Sequence, residues 1–306
     1  MNLLKIFLKK KNNNKKKILS NKYPINGIYT YNYNENPKTS VIINHFVSFR
    51  TLTKTIENLR VLGNNIEIIV INDTGKNSDK IFNNLNQAND KLIVTSNLSE
   101  SKGYISGASI SQSTDYLIFT QDDDLAPEDD KWYRDVIKIF KKYKNLSMVS
   151  LNGGGYLSIK NNNLNNIGFK LIDFSKIKSR FNTNFFFCTW VKTGPIIIKK
   201  KVFEEIGGWQ MFANIGESDH FSDKDLAIRV WKFGYKVGLL INDNTLKWKR
   251  RYSRDDGLSK KDLKLNMNRK ITWHLNQKKF IKKNKNILKK IELKVIKENK
   301  NIKINL

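Results

Sequence analysis

Cysteine is nearly absent from this chain of 306 residues, in which Cys188 is the only one. A disulfide within the chain and a cysteine-based metal cluster are therefore excluded. We expect a reducing, cytoplasmic compartment, because disulfides are rare there. Long apolar runs are also missing, since none approaches the roughly 20 residues that a transmembrane helix needs. The opening MNLLKIFL is short and soon followed by lysines, unlike a usual signal peptide.

Acidic residues are few beside basic ones, and the formal net charge is +28. Residues 1–38 hold nine lysines and one acid, and residues 258–306 hold sixteen basic residues and three acids. The charge therefore belongs mainly to the two ends. Basic ends of this kind favour peripheral contact with an anionic membrane, while we expect no nucleic acid partner. A coding bias towards lysine and asparagine is the alternative explanation.

The first 38 residues contain a few apolar side chains among the lysines: Leu3, Leu4, Phe7 and Leu8. They could line one face of a short interfacial helix, although we expect most of this tail to be disordered. Ordered sequence is predicted to begin near Thr39. We therefore divide the chain into a basic tail at 1–38, a central domain at 39–257 and a basic helical extension at 258–306.

The central domain has enough apolar residues for a core, because 39% of the chain is hydrophobic and 11% aromatic. Its first part alternates short β-branched runs with amphipathic stretches, which predicts βαβ units and a mostly parallel sheet. The predicted strands are 40–44, 66–71, 91–95 and 116–119, and the predicted helices are 52–62, 78–88 and 101–112.

The second part is less regular. We predict helices at 132–144, 201–206 and 223–233, strands at 146–151, 196–199 and 235–241, and a lysine-rich helix within 258–306. A glycine turn is predicted at 153–155, and a long polar loop at 160–184 with one strand around Phe169. In the last helix, Ile287, Ile291 and Val295 recur every four residues and form a narrow apolar stripe.

Three successive carboxylates, Asp122, Asp123 and Asp124, follow the predicted strand at 116–119. Like charges on neighbouring residues repel, whereas a hard divalent cation such as Mn²⁺ or Mg²⁺ prefers carboxylate and phosphate oxygens. Ligands of open α/β sheets sit beyond the carboxyl ends of the strands. The triplet therefore predicts a metal–phosphate site. A solvated acidic turn is the alternative.

Several segments in the range 39–245 together resemble the inverting glycosyltransferase family 2. The segments are SVIINHF at 40–46, IVINDTG at 69–75, the acidic triplet, KTGP at 192–195, VFEEIGGW at 202–209 and SDKDLAIR at 222–229. The resemblance implies a GT-A fold, a Rossmann-like domain with a mixed, mostly parallel central sheet flanked by helices. It also implies metal-dependent transfer of a sugar from a nucleotide-diphospho-sugar to a hydroxyl acceptor on a glycan, a protein or a lipid-linked molecule.

On the donor side, the resemblance places Phe46 near the nucleotide base and gives Asp73 the role of accepting hydrogen bonds from it. Lys102 is a candidate for contact with the base or a phosphate. The alternatives are a core aromatic for Phe46, a helix or turn cap for Asp73 and an exposed surface lysine for Lys102. A UDP-sugar is the expected donor.

The acidic triplet matches the Asp-x-Asp motif of the family, with its register open. The last acid of that motif usually reaches the metal and an earlier one faces the ribose. This assigns Asp124, together with Asp122, to the metal, and Asp122 or Asp123 to the ribose side. A divalent ion at the two phosphates would stabilise the leaving diphosphate.

On the acceptor side, Asp223 matches the catalytic base of the family, with Glu217 and Asp219 as fallback candidates on the preceding loop. A first-turn acid that stabilises its helix is the alternative for Asp223. Trp209 is a candidate for stacking on an acceptor sugar, with a core or lid aromatic as its alternative. We expect Arg229 to pair with an acid.

The chain departs from the family pattern at Asn44, Asn72 and Ser222, and the segment soon after the last predicted strand, where 247–251 reads KWKRR, has no histidine nearby. These departures leave a second hypothesis open, a non-catalytic GT-A-like module whose basic ends grip nucleic acid or an anionic membrane. A nucleotidyltransferase is a third, less favoured, because 44–50 lacks the glycine-rich phosphate loop that such enzymes use.

Overall fold

The structure is a computed structural model. It describes residues 25–30, 37–46, 49–85, 89–95, 98–151, 153–159, 167–171, 184–212, 219–250 and 265–302. The apolar residues at 3–8 and the fallback candidate Glu217 lie outside the described residues, as does most of the polar loop at 160–184.

The strands are β1 Ile25–Thr30, β2 Thr39–His45, β3 Ile66–Asn72, β4 Lys91–Thr95, β5 Tyr116–Gln121, β6 Asp124–Leu125, β7 Leu146–Ser150, β8 Gly154–Ile159, β9 Ile167–Leu171, β10 Phe185–Phe187, β11 Trp190–Val191, β12 Ile196–Lys199, β13 Lys236–Leu240 and β14 Lys249–Arg250. The helices are α1 Phe49–Leu59, α2 Ser78–Asn84, α3 Glu100–Ile110, α4 Lys131–Lys142, α5 Lys200–Glu205, α6 Ser222–Lys232 and α7 Leu265–Asn301.

The central layer is a nine-stranded mixed sheet with the order β1-β4-β3-β2-β5-β12-β7-β13-β10. Strands β4, β3, β2 and β5 run parallel to one another, so their carboxyl ends meet at one edge. We call this the carboxyl edge and the opposite side the amino edge. The chain proceeds from β2 outwards to β3 and β4, then crosses back to β5 on the other side of β2. This reversal opens the crevice in which doubly wound sheets bind ligands.

The four parallel strands are buried on both faces, as their continuous β-branched runs predict. The other half of the sheet begins with β12, which pairs antiparallel with both β5 and β7. Two small sheets complete the fold, with the orders β11-β8-β9 and β14-β6. The α/β prediction with a mixed, mostly parallel sheet flanked by helices is confirmed.

Two predictions about local structure are wrong. Strand β1 lies in the segment that we assigned to the N-terminal tail, and it pairs antiparallel with β4 at the rim of the sheet. The glycines at 154 and 155 do not form a turn, because they start strand β8. A Cβ atom on Gly155 would lie 1.9 Å from the carbonyl oxygen of Lys170, so glycine is required there by the close approach of β9.

The amino edge of the sheet holds two buried ion pairs. Glu67 on β3 accepts a hydrogen bond from the Lys91 ammonium, as well as from Ser40 and two backbone N–H groups. Asp90 accepts from Arg60 Nη2 at 2.5 Å and from the Ile68 N–H at 2.9 Å. Burial lowers the pKa of Lys91, while the charge of Glu67 raises it. Each carboxylate at this edge thus faces a cation.

Helix α7 packs against the central domain through a stripe that includes Phe280, Leu288, Ile291 and Val295, all buried. Polar bonds fix its register. Asn299 Nδ2 donates to the Phe187 carbonyl at 2.8 Å, while the Phe187 N–H donates to Asn299 Oδ1 at 2.9 Å. No helix among the described segments is long and apolar enough to cross a membrane.

Candidate functional site

The end of β5 meets the end of β2 at the point where the strand order reverses. Asp122 Oδ2 lies 2.8 Å from His45 Nδ1 and accepts a hydrogen bond from the Phe46 N–H at 2.9 Å. Asp122 is buried as a result of these contacts. The carboxylate therefore binds the two strand ends together at the floor of the crevice.

Asp124 is buried on the other side of the same turn. Its Oδ2 accepts from Thr120 Oγ1 and from the Gln121 N–H, both at 3.2 Å. Gly194 presses against this carboxylate, because a Cβ atom on it would lie 2.2 Å from Asp124 Oδ2. Between these two fixed acids, Asp123 has the most exposed side chain of the triplet.

Asp73 follows β3 and binds the chain segment that leads into α3. Its carboxylate accepts from Thr95 Oγ1 at 2.8 Å, from the Leu98 N–H at 2.5 Å and from the Ser99 N–H at 3.1 Å. Burial raises the pKa of Asp73, and these hydrogen bonds and the charge of Lys102 oppose that rise. The side chain thus holds the amino end of α3 against the carboxyl edge.

Glu100, the first residue of α3, lies at the centre of the acidic groups. The side chains of Thr193 and Gln121 hydrogen-bond to it, and Asp223 and Asp219 lie near enough to act on its charge. Burial, followed by the negative charge of Asp223, raises the pKa of Glu100 to about 7. Our sequence analysis missed this residue, because an acid in the first turn of a helix is ordinary there.

Asp223 lies in the first turn of α6, and Ser222 beside it joins α6 to α3. Ser222 Oγ lies 2.6 Å from Ser101 Oγ. Asp223 Oδ1 accepts from the Lys224 N–H at 2.7 Å and from Lys224 Nζ at 3.3 Å. Asp219, the preceding acid, accepts from the Phe212 N–H at 3.3 Å, and burial raises its pKa.

The ammonium group of Lys224 sits in an aromatic cage formed by Phe169, Trp190 and Phe221. Its Nζ atom lies 5.8, 5.1 and 5.1 Å from their respective ring centroids. It also donates to the His220 carbonyl at 3.2 Å. Since cations are attracted to aromatic faces, the cage keeps the charge of Lys224 next to the carboxylate of Asp223.

The three remaining predicted site residues, Phe46, Lys102 and Trp209, differ in how far their side chains are exposed. The Phe46 side chain is 42% exposed at the end of β2, so its ring is open to a ligand. Lys102 is only 1% exposed, which rules out the surface-lysine alternative. Trp209 is buried, with its ring stacked on Tyr104 and its edge against Phe119. Trp209 is therefore a core aromatic here, and its ring faces are not open for stacking on an acceptor sugar.

The second acid of α6 is structural. Asp225 Oδ2 accepts from Arg229 Nε at 2.7 Å and from Lys283 Nζ at 2.9 Å, and its Oδ1 accepts from Asn284 Nδ2 at 3.2 Å. The expectation that Arg229 pairs with an acid is confirmed. Because Lys283 and Asn284 belong to α7, this network joins the basic C-terminal helix to the helix that carries Asp223.

The basic segment after the last large strand returns to the acidic triplet. Backbone pairing in β14 sets Arg250 opposite Asp124 and Lys249 opposite Leu125. Lys247 forms an ion pair with Asp129 beyond the triplet. The sequence suggested that basic residues here take the place of a histidine, and the strand pairing brings their backbone to the turn that holds Asp124.

The triplet offers hard oxygen ligands, the type that Mn²⁺ and Mg²⁺ prefer. Among the described residues, no group of three or more acidic, histidine or cysteine side chains is arranged to hold a metal by itself. An ion that takes one or two carboxylates from the protein and further oxygens from substrate phosphates and water needs no such group.

Comparison with known proteins identifies the family. Residues 40–207, more than half of the chain, match the model of glycosyl transferase family 2. No curated protein matches the chain. A solved structure of GalNAc-T7 with UDP, GalNAc and Mn²⁺ is similar at a TM-score of 0.52 and 14% identity, over 69% of this chain and 46% of that one. The chain therefore spans less than half of that protein's length.

Two further solved structures are more loosely similar, each at a TM-score of 0.41. A 4-diphosphocytidyl-2C-methyl-D-erythritol synthase from Anaerococcus prevotii is 12% identical over 72% of this chain and 95% of that one. A cytidylyltransferase from Leptospira borgpetersenii is 11% identical over 79% and 97%. From the match over residues 40–207 and the fold shared with GalNAc-T7, we conclude that the chain belongs to glycosyltransferase family 2 and has the GT-A fold.

Proposed function

We propose that this protein is an inverting glycosyltransferase that moves a sugar from a nucleotide-diphospho-sugar to a hydroxyl acceptor. The observation that carries the proposal is the link between two acidic groups in a chain of this family. The side chain of Gln121, beside the acidic triplet, hydrogen-bonds to Glu100, and the charge of Asp223, in the first turn of α6, acts on the same carboxyl group. The donor diphosphate and the acceptor hydroxyl would then both lie close to Glu100.

The donor nucleotide is proposed to lie over the carboxyl ends of β2 and β3. The exposed ring of Phe46 would stack on the base, and Asp73 would accept a hydrogen bond from it. Asp73 already binds two backbone N–H groups and a hydroxyl. Its position is thereby fixed before a nucleotide arrives, which lowers the cost of ordering the site on binding. The buried Lys102 would act on Asp73 through its charge.

Asp122 and Asp124 would hold a Mn²⁺ or Mg²⁺ ion, with Asp123 facing the ribose. Such an ion, when bound, neutralises negative charge on the diphosphate as the leaving group departs. Asp124 is held by Thr120 and the Gln121 N–H, and Asp122 by His45 and the Phe46 N–H. These bonds leave little freedom to the carboxylates, and such preorganisation favours electrostatic stabilisation of a transition state.

Asp223 is the proposed general base. Its carboxylate would take the proton from the acceptor hydroxyl, whose oxygen forms a bond to the anomeric carbon. The bond from that carbon to the diphosphate oxygen breaks at the same time, and the nucleoside diphosphate leaves with the electron pair. Attack opposite the leaving group inverts the anomeric centre. Lys224, held in its cage, would keep the carboxylate of Asp223 oriented.

A thermal-shift and transfer experiment tests the proposal. UDP, GDP, CDP and their common sugar conjugates are added to the full chain with and without Mn²⁺, since a ligand that binds the native state raises its melting temperature. We expect a Mn²⁺-dependent shift that Asp124→Asn reduces. Asp223→Asn should keep the shift and lose transfer or donor hydrolysis by about 10²–10⁴-fold. If no nucleotide or nucleotide sugar shifts the wild-type protein, the proposal is wrong.

A further inference from the structure

The outer face of α7 is strongly basic. Between residues 272 and 302, all ten lysines have exposed side chains. The only acids in that range, Glu292 and Glu298, are half-buried, and Glu298 lies 2.8 Å from Lys236 in an ion pair. We call the exposed side of this range the lysine face. It carries positive charge from Lys278 to Lys300, along about 33 Å of helix at 1.5 Å per residue.

The lysine face is presented in a fixed orientation. Its opposite side is the buried stripe around Leu288, Ile291 and Val295. The reciprocal bonds of Asn299 with the Phe187 backbone anchor one end, and the bonds of Lys283 and Asn284 with Asp225 anchor the middle. The basic helix is therefore a rigid part of the domain surface and not a separate tail.

Apolar side chains interrupt this basic face. Leu275 and Leu293 are 52% and 58% exposed, and they are two of the seven large hydrophobic residues that are exposed in the described segments. Leu275 and Leu293 are separated by five helical turns, so they point to the same side of α7. Lys282 and Lys289 lie between them on nearly the same line. Lysines interleaved with single apolar side chains are typical of helices that lie in a membrane interface.

We propose that the lysine face of α7 docks this protein on an anionic phospholipid surface. The charges would meet the lipid headgroups while Leu275 and Leu293 enter the headgroup boundary. Trp273 lies about 160° round the helix from Leu275, on the side of the buried stripe, where its ring is 5.6 Å from that of Phe221. The bonds of Lys283 and Asn284 with Asp225 hold α6 directly beneath α7. Docking would therefore place the helix that carries Asp223 about one helix diameter, roughly 10 Å, from the membrane surface. If the proposed function holds, the acceptor is carried by that membrane.

Nucleic acid fits this face less well. Proteins that bind nucleic acid commonly use arginine for base edges, and aromatic platforms when the strand is single. No arginine occurs between residues 272 and 302, and no Phe or Tyr is exposed there; the exposed rings, Trp273 and His274, are adjacent at one end of the range. The exposed leucines have no counterpart on a phosphate backbone. The observations favour lipid, and duplex DNA becomes a competing outcome of the test.

Vesicle co-sedimentation of the full chain tests the proposal. The vesicles are phosphatidylcholine alone, or phosphatidylcholine with a third of phosphatidylglycerol, at low and at high salt. We expect binding to the anionic vesicles only, weakened by salt. The triple variant Lys282→Gln, Lys289→Gln, Lys297→Gln should bind at least tenfold more weakly. Leu275→Ser with Leu293→Ser should weaken binding several-fold at both salt concentrations, because an apolar contribution is not screened.

The matched control removes three exposed lysines from other helices, Lys80→Gln, Lys141→Gln and Lys201→Gln. It should bind nearly as wild type does. The proposal is overturned if both triple variants lose binding equally, if anionic vesicles bind no better than neutral ones, or if duplex DNA binds more tightly than vesicles at the same salt. The nucleotide-induced thermal shift of the α7 variant should stay at the wild-type value, so failed docking and failed nucleotide binding are told apart.

Discussion

Buried carboxylates have opposite neighbours at the two edges of the central sheet, cations at one and other acids at the other. At the amino edge, Glu67 and Asp90 each face a cation and are buried with it. At the carboxyl edge, burial and the negative charges of Asp223 and Asp219 raise the pKa of Glu100, and burial and the charge of Asp223 raise the pKa of Asp219. Like charges held together cost stability, so such clusters are typical of functional sites. The comparison separates acids that hold the fold from acids that are available for chemistry.

The largest effect is expected when the ion pair of Glu67 and Lys91 at the amino edge is broken. Lys91→Met leaves the Glu67 carboxylate buried without its cation, and we expect a loss of about 3–5 kcal/mol of unfolding free energy, measured by urea denaturation. Lys54→Met is the matched control, because Lys54 and Glu57 form an exposed pair 3.5 Å apart. The control should change stability by less than about 1 kcal/mol. Equal losses of unfolding free energy in both variants would show that the buried pair matters no more to stability than the exposed one.

The next prediction concerns a substitution that places an extra methyl group against Asp124 at the carboxyl edge. Gly194 has a φ of +93°, and Gly194→Ala adds a methyl group 2.2 Å from Asp124 Oδ2. Gly234→Ala is a matched control, since Gly234 has a φ of +87° and nothing within 4 Å of the added atom. Both should lose about 1–3 kcal/mol through backbone strain.

Only the Gly194 variant should also weaken Mn²⁺-dependent nucleotide binding, by about tenfold or more, since a tenfold change corresponds to about 1.4 kcal/mol. Titration of the thermal shift with nucleotide measures this. If the two variants bind alike, the carboxylate of Asp124 has no part in the metal site.

A pH-dependent prediction tests the cost of the clustered acids. The pKa of Glu100 is about 7 in the folded protein, above its ordinary value of 4.5. The folded state therefore holds a proton that the unfolded chain has lost, so this group removes stability as the pH rises from about 4.5 to about 7. Glu100→Gln should be more stable than wild type by about 1–3 kcal/mol at pH 8, with a smaller gap at pH 5. Denaturation at both pH values measures the difference, and a gap independent of pH would refute the charge argument.

The smallest effect concerns the orientation of Asp223. Lys224→Met removes the caged charge beside it, and we expect kcat/KM for transfer to fall by about tenfold while the nucleotide-induced thermal shift stays at the wild-type value. Lys224→Arg should restore most of the rate, because arginine keeps the charge and also stacks on aromatic rings. An equal loss of rate in the two variants would indicate that the charge of Lys224 has no part in orienting Asp223.

The sheet could be predicted because its signal is local. The runs at 40–44, 66–71, 91–95 and 116–119 are apolar, β-branched and bounded by polar residues, and each is a strand within two residues of its predicted bounds. Strand β1 was missed because its short sequence, INGIYT, contains Asn and Gly and lies among lysines and asparagines. Its pairing with β4 joins residues more than 60 positions apart, which no local pattern reports.

The site was only partly predictable for the same reason. The acids Asp73, Asp122 and Asp124 follow strands, so their common edge follows from the parallel sheet. Glu100 became visible only when folding brought Thr193 and Asp223 to it. The cage around Lys224 takes its rings from β9, β11 and the residue before α6. A lysine next to an acid carries no sequence signal of such distant partners.

The short stretch at 98–101, where α3 begins, has a consequence for how strongly the two ligands bind in each other's presence. Its backbone is held by Asp73 on the nucleotide side, and Ser101 touches Ser222 on the side of the proposed base. A ligand that shifts one end of this stretch must shift the other, because four residues cannot absorb the displacement. Donor and acceptor affinities would then be linked, and linkage is reciprocal: each ligand would change the binding constant of the other by the same factor.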